Sequence, residues 1–188
     1  MQAFSELLDA AFADVDIAPA ELPRLDLYMD QILTLFDQGL SANKRSPEEK
    51  LLTKTMINNY SKEHLILPVK GKKYSREQLI QLLCILNLKQ TLSLSDLKTL
   101  LEQESEAVNF EKAYEKSLEM KQRLKQVLPA LLIQTLESSS DSSDSENRLA
   151  LTLALSSGAT YFRRVCEELI DDAKAKKKSV SKNSLKND

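Results

Sequence analysis

The chain has 188 residues, a formal net charge of −2 and 42% hydrophobic residues, enough to build a core for one large domain or two small ones. Only three glycines, and a predominance of Leu, Lys, Glu, Ala and Gln, favour helices; 5% aromatic content with no Trp is too little for a platform that stacks single-stranded bases. The first residues lack a charged stretch followed by an apolar one, and no apolar run approaches the roughly 20 residues that cross a bilayer, so a cytoplasmic protein without membrane contact is expected.

In chain order, residues 4–15 suit one amphipathic helix, which Pro19 and Pro23 interrupt. Apolar residues recur at three and four from Leu25 to Leu40, predicting a helix that Gly39 caps. Ser46-Pro47-Glu48-Glu49 reads as a capping box that starts a helix running to Lys62. "HLILPVKGKKYS" is too short for a helix and reads as a small hairpin or wing. Ser75-Arg76-Glu77-Gln78 is a second capping box, and Ser93 or Ser95 caps the helix after it. Residues 105–136 continue as helix with a break expected before Pro129, and a low-complexity linker occupies 137–147. A last helix over about 147–172 runs into a basic tail, 173–188, expected to be disordered.

Charge is distributed unevenly along these elements. Residues 1–40 carry eight acids against Arg24, whereas residues 41–76 carry nine bases against Glu48, Glu49 and Glu63. On a helical wheel Leu52, Met56, Ile57 and Tyr60 fall on one side of the segment ending at Lys62, and Lys54, Thr55, Asn58, Ser61 and Lys62 on the other. Amides, hydroxyls and lysines on one exposed face are what a helix in the DNA major groove needs, because Asn pairs bidentately with adenine and Lys reaches guanine or phosphate. Asn59 belongs to the same polar helix, and Lys70, Lys72, Lys73 and Arg76 would neutralise the neighbouring phosphates.

The order of a polar helix ending in Tyr60, then "HLI", a basic wing, "KYSREQLIQLLCILNLKQ" and "LSLSDLKTLLEQ" is similar to the winged helix-turn-helix of MerR-type regulators. Residues 22–102, most specifically "LTKTMINNY", resemble a bacterial family described as domain of unknown function 1836. The MerR likeness implies a dimeric transcriptional regulator with a helical dimerisation segment and an effector region. The longer loop at 41–46 and lysines where arginines are common depart from that pattern. The expected fold is all-α: an N-terminal extension (1–21), a winged helix-turn-helix with a small β wing (22–104), and a helical dimerisation or sensing region (105–172).

Other chemistry finds little support. His64 is the single histidine and is expected in a packed turn; Asp26 and Asp30 read as a solvated pair. Cys84 and Cys166 read as buried apolar residues, and no metal cluster, phosphate-cradling loop or nucleophile–base arrangement occurs. No cofactor, metal or catalytic residue is expected. The partners expected are duplex DNA and a second copy of the chain, the latter in competition with a fold-back of the last helix on its own chain, with a small-molecule effector of unknown identity at the C-terminal helices as a further partner. A winged-helix module that binds protein instead of DNA is the alternative, since fold alone does not fix function.

Overall fold

The computed structural model describes residues 4–69, 71–104, 108–136 and 144–184. Among them are seven helices and one two-stranded antiparallel sheet: α1 (Phe4–Ala11), β1 (Leu27–Tyr28), α2 (Met29–Gly39), α3 (Lys54–Lys62), β2 (Lys73–Tyr74), α4 (Arg76–Leu88), α5 (Leu94–Glu104), α6 (Phe110–Leu136) and α7 (Ser145–Ser184). The protein is thus mostly helical, and no described helix is long and apolar enough to cross a membrane.

The core forms around α4, which is apolar on most of its circumference. Leu79, Ile80, Leu82, Leu83 and Ile85 have essentially no exposed surface, and they meet Ile32 and Phe36 from α2, Ile57 and Tyr60 from α3, and Leu97 from α5. The capping box read at Ser75 forms: the Gln78 amide donates to Ser75 Oγ at 3.4 Å and the Ser75 amide to Gln78 Oε1 at 2.7 Å. Ser93, rather than Ser95, caps α5 by accepting from the Asp96 amide at 3.1 Å.

Five local expectations change, the first being that the helix expected from Leu25 starts only at Met29, because Leu27–Tyr28 is taken up as the strand β1. The Ser46–Glu49 segment closes only a turn (Glu49 N–H to Ser46 carbonyl, 3.0 Å), and α3 begins at Lys54. Leu51 and Leu52 both reach the core from this non-helical connection, and Thr53, extended at φ −130° and ψ 160°, becomes the N-cap. Gly39 does not cap α2 through positive φ; a Cβ there would lie 2.7 Å from Ile17 Cδ1, so its role is close approach. Pro129 lies inside α6 without ending it, since proline forfeits one backbone bond and half-buried Leu128, Leu132 and Ile133 flank it. Finally, α7 continues through the basic segment to Ser184, where a disordered tail was expected; the ion pairs Lys174–Asp171 (3.2 Å) and Lys176–Asp172 (2.5 Å), spaced three and four residues apart, support the extension.

The core extends past residue 104. Tyr114 of α6 and Ile170 of α7 are buried in the same cluster, and α6 packs across α4 and α1 while α7 packs on α5. The N-terminal segment ties α6 down: Lys121 Nζ lies 2.5 Å from Asp14 Oδ2 and 2.7 Å from Asp16 Oδ1, and Lys125 Nζ 2.7 Å from Asp14 Oδ1. Partial burial pushes the Asp14 carboxyl up, but hydrogen bonds and charge from Lys121 and Lys125 outweigh it and hold the carboxyl below its ordinary value. Lys121 shows the mirror image. Burial pulls its ammonium down, and Asp14 and Asp16 more than reverse that.

Candidate nucleic-acid interface

Helix α3 is short, nine residues, and survives through its ends and its buried side. The Met56 amide donates to Thr53 Oγ1 at 3.2 Å at the start. At the finish, the Leu65 amide bonds the Tyr60 carbonyl (2.9 Å) and the His64 amide the Ser61 carbonyl (3.2 Å), with His64 left-handed at φ 57°. These two bonds make a Schellman motif with histidine where glycine is usual. The one histidine therefore serves the turn.

Ile57 and Tyr60 bury the inner face of α3, leaving Lys54, Thr55, Asn58, Asn59 and Lys62 exposed together. Ser61 does not join them; it is half-buried and hydrogen-bonds the Tyr74 hydroxyl. Burial raises the Tyr74 phenol pKa, an effect the Ser61 bond partly offsets. Lys54 Nζ sits 2.6 Å from Asp30 Oδ1, so one of the two acids read as plain solvated surface borders this face. Glu63, just past the helix, pairs with Lys98 of α5 at 3.5 Å.

Among the described residues the connection from α3 to α4 forms no hairpin of its own. Lys73–Tyr74 pairs instead with Leu27–Tyr28, in the register Leu27 opposite Tyr74 and Tyr28 opposite Lys73. Two buried glutamines explain this. Gln78 Nε2 donates to the Leu67 carbonyl (3.0 Å) and the Pro68 carbonyl (3.1 Å), and Gln81 Oε1 accepts from the Leu67 amide (2.9 Å), pulling residues 67–68 onto α4. The chain then turns at Gly71, left-handed at φ 70°, into β2. Lys72 and Lys73 are exposed on that turn, and Lys73 Nζ lies 5.1 Å over the Tyr28 ring. A cleft of about 670 Å³ separates the turn from the end of α3, with Tyr28, Asp30, Ser61, His64 and Lys72 in its lining.

Of the nine residues expected to contact DNA, seven lie on this side: five on α3 and two on the turn. Lys70 lies outside the described residues. Arg76 is occupied elsewhere: its guanidinium donates to Glu111 Oε2 (2.7 Å) and the Pro19 carbonyl (2.8 Å), locking the start of α4 to α6. The hydrogen bond to Glu111 raises the guanidinium pKa further. Tyr28, Gln81 and the second role of Gln78, its hold on residues 67–68, were missed by sequence reasoning. Only the glutamines left a signal, as polar residues within the apolar stripe of α4.

A second cleft, about 590 Å³, lies beside α1 and is lined by Asp14, Asp16, Lys44 and Lys121, whose charges are spent on internal pairs, Lys44 with Asp37 at 2.6 Å. Among the described residues no group of three or more His, Cys, Asp or Glu side chains could hold a metal ion.

The helical body thus carries one polar, partly basic face built from α3 and the turn into β2. The chain belongs to the family described as Domain of unknown function (DUF1836), whose pattern matches residues 17–122. That span holds every buried residue of the main core cluster except Ile170, and it includes the first half of α6. No curated protein and no solved structure gives a significant match.

Proposed function

We propose that the protein is a cytoplasmic DNA-binding transcriptional regulator built on a MerR-like winged helix-turn-helix. In this reading α3 occupies the major groove and the Gly71–Lys73 turn acts as the wing. The observation that carries it is the shared exposed face of Lys54, Thr55, Asn58, Asn59 and Lys62, with Lys72 and Lys73 beside it. No large apolar side chain between residues 54 and 64 is exposed, which favours a polar, charged partner. A nine-residue helix is about 13 Å long, comparable to the roughly 12 Å width of the groove. Asn58 and Asn59 supply base-reading groups, and the lysines supply phosphate contacts.

The reading as a protein-binding module draws on Tyr28 and Leu67, both exposed at the margin of the cleft. Titrating a labelled random-sequence duplex with the parent and with the Lys54→Ala/Asn58→Ala/Lys62→Ala variant separates the two. Binding by the parent that the variant loses supports DNA. No binding at low salt leaves the protein-binding module as the better reading.

A further inference from the structure

Strand β1 and the first turn of α2 bring two side chains to the lysines of the polar face. In the pairing of β1 with β2, Leu27 stands opposite Tyr74 and Tyr28 opposite Lys73. Successive residues of a strand point to opposite sides, so Leu27 packs on the core beside buried Tyr74, while Tyr28 and Lys73 share the outer side. There the Lys73 ammonium lies 5.1 Å over the Tyr28 ring, which is 50% exposed. Two residues on, Asp30 meets Lys54 of α3 at 2.6 Å. One short stretch, residues 28–30, thus touches both halves of the face, the turn and the helix.

The two contacts differ in what they do to a cation. A carboxylate satisfies the charge of Lys54 and competes with phosphate for it. A ring attracts an ammonium through its quadrupole but carries no charge, and an ammonium has three N–H donors, so Lys73 keeps donors for phosphate oxygens while it rests on Tyr28. We infer that Tyr28 is a positioning residue for duplex binding, an inference that rests on the DNA reading: its ring holds Lys73 in place for the phosphate backbone. Residues two apart then act on one face with opposite signs, Asp30 withholding a cation and Tyr28 presenting one.

The gain lies in ordering. A lysine side chain has many rotamers to lose on binding, and a neighbour that already selects some of them lowers that loss. The ring itself is firmly mounted. The Tyr28 amide donates to Gln31 Oε1 at 2.9 Å, and Ile32 and Phe36 of the same helix are fully buried in the core. The ring that a protein-binding module would offer to its partner thus has a use in the DNA reading as well.

Anisotropy titration of a labelled duplex with the full-length protein at low salt tests it, using Tyr28→Phe, Tyr28→Leu, Lys73→Ala and the Tyr28→Leu/Lys73→Ala double variant. Tyr28→Phe keeps the ring and is expected to bind as the parent does. Tyr28→Leu keeps apolar bulk without the quadrupole and is expected to weaken binding about 2–5-fold, the loss that an exposed cation–π contact supplies. In the Lys73→Ala background the same change should have no effect, because the group it acts through is gone. An equal loss in both backgrounds would show that Tyr28 serves the sheet and not Lys73, and a loss in Tyr28→Phe would assign the effect to the hydroxyl; either overturns the inference. A parent that binds while Tyr28→Leu matches it overturns the inference and leaves the DNA reading intact, whereas a parent that binds no duplex defeats the DNA reading. The free protein gives a check independent of DNA. The Lys73 ε-methylene protons should resonate upfield of their position in Tyr28→Leu through the ring current, and coincident positions would overturn the positioning role whatever the outcome with DNA.

Discussion

Lys54 Nζ and Asp30 Oδ1 lie 2.6 Å apart, so the first cation of α3 meets an acid from the first turn of α2 before it meets any partner. Both side chains are largely exposed, and such a pair contributes little to stability. Its consequence falls on binding. Asp30→Asn should release Lys54, tighten duplex DNA several-fold and leave the melting temperature within about 1 °C of the parent, as expected for an exposed surface change. Anisotropy titration together with a thermal melt checks both. Unchanged or weaker affinity would place Lys54 away from the phosphates.

Positions on α3 and on the turn should fail in different ways. Asn58→Ala is expected to relax sequence preference, at a cost of about 1–3 kcal/mol for a lost bidentate base contact. Lys72→Ala and Lys73→Ala should weaken all sequences alike. Selection from a randomised duplex pool separates these outcomes. An unaltered preference in Asn58→Ala would mean that α3 does not read bases.

Gln78 and Gln81 anchor the backbone at Leu67 and Pro68, and both are only 4% exposed. Gln81→Leu leaves the Leu67 amide without its partner, at a cost of about 1–3 kcal/mol. Urea denaturation should show that loss, and hydrogen exchange at Leu67 should rise with it. Unaltered exchange at Leu67 would show that α4 does not hold this segment.

The sequence carried the helical class and the split of α3 into a buried and an exposed polar side, because both rest on periodicity and composition. Ile57 and Tyr60 against Lys54, Asn58 and Lys62 is a pattern that a wheel displays, and the structure separates these residues the same way. Tertiary partners were not legible. Arg76 looked like one more cation of a basic block, but Glu111, 35 residues away, claims it. The segment after α3 looked like a hairpin because Gly71 sits among β-prone residues, yet β2 pairs with Leu27–Tyr28 far upstream. Pro129 and the basic end of α7 were read by local rules that flanking packing and ion pairs override.

The Asp14–Lys121 contact should give stability a dependence on pH at both ends. The Asp14 carboxyl is held low in the folded state, so its contribution is present above the unfolded value of about 3.9 and is lost as pH falls through the lower folded value. The Lys121 ammonium is held high, so its contribution is present below about 10.4 and is lost as pH rises through the higher folded value. Against the parent, Asp14→Asn should be less stable near neutrality, with the gap narrowing in acid. Lys121→Met should be less stable near neutrality, with the gap narrowing in alkali. Chemical denaturation across that range reads both. A gap that stays constant with pH would show that these groups do not titrate as a pair.

The most direct measurement is the salt dependence of duplex binding by the full-length protein. Among the described residues Lys54, Lys62, Lys72 and Lys73 are exposed cations of the face, and each phosphate neutralised contributes about −0.9 to the slope of log K against log salt. Binding through this face therefore requires a slope of about −2.7 if Asp30 keeps Lys54 and about −3.6 if Lys54 also reaches a phosphate, reduced by about 1 in Lys62→Ala. Absent binding at low salt, or binding indifferent to salt, would contradict DNA recognition by α3 and its neighbouring turn.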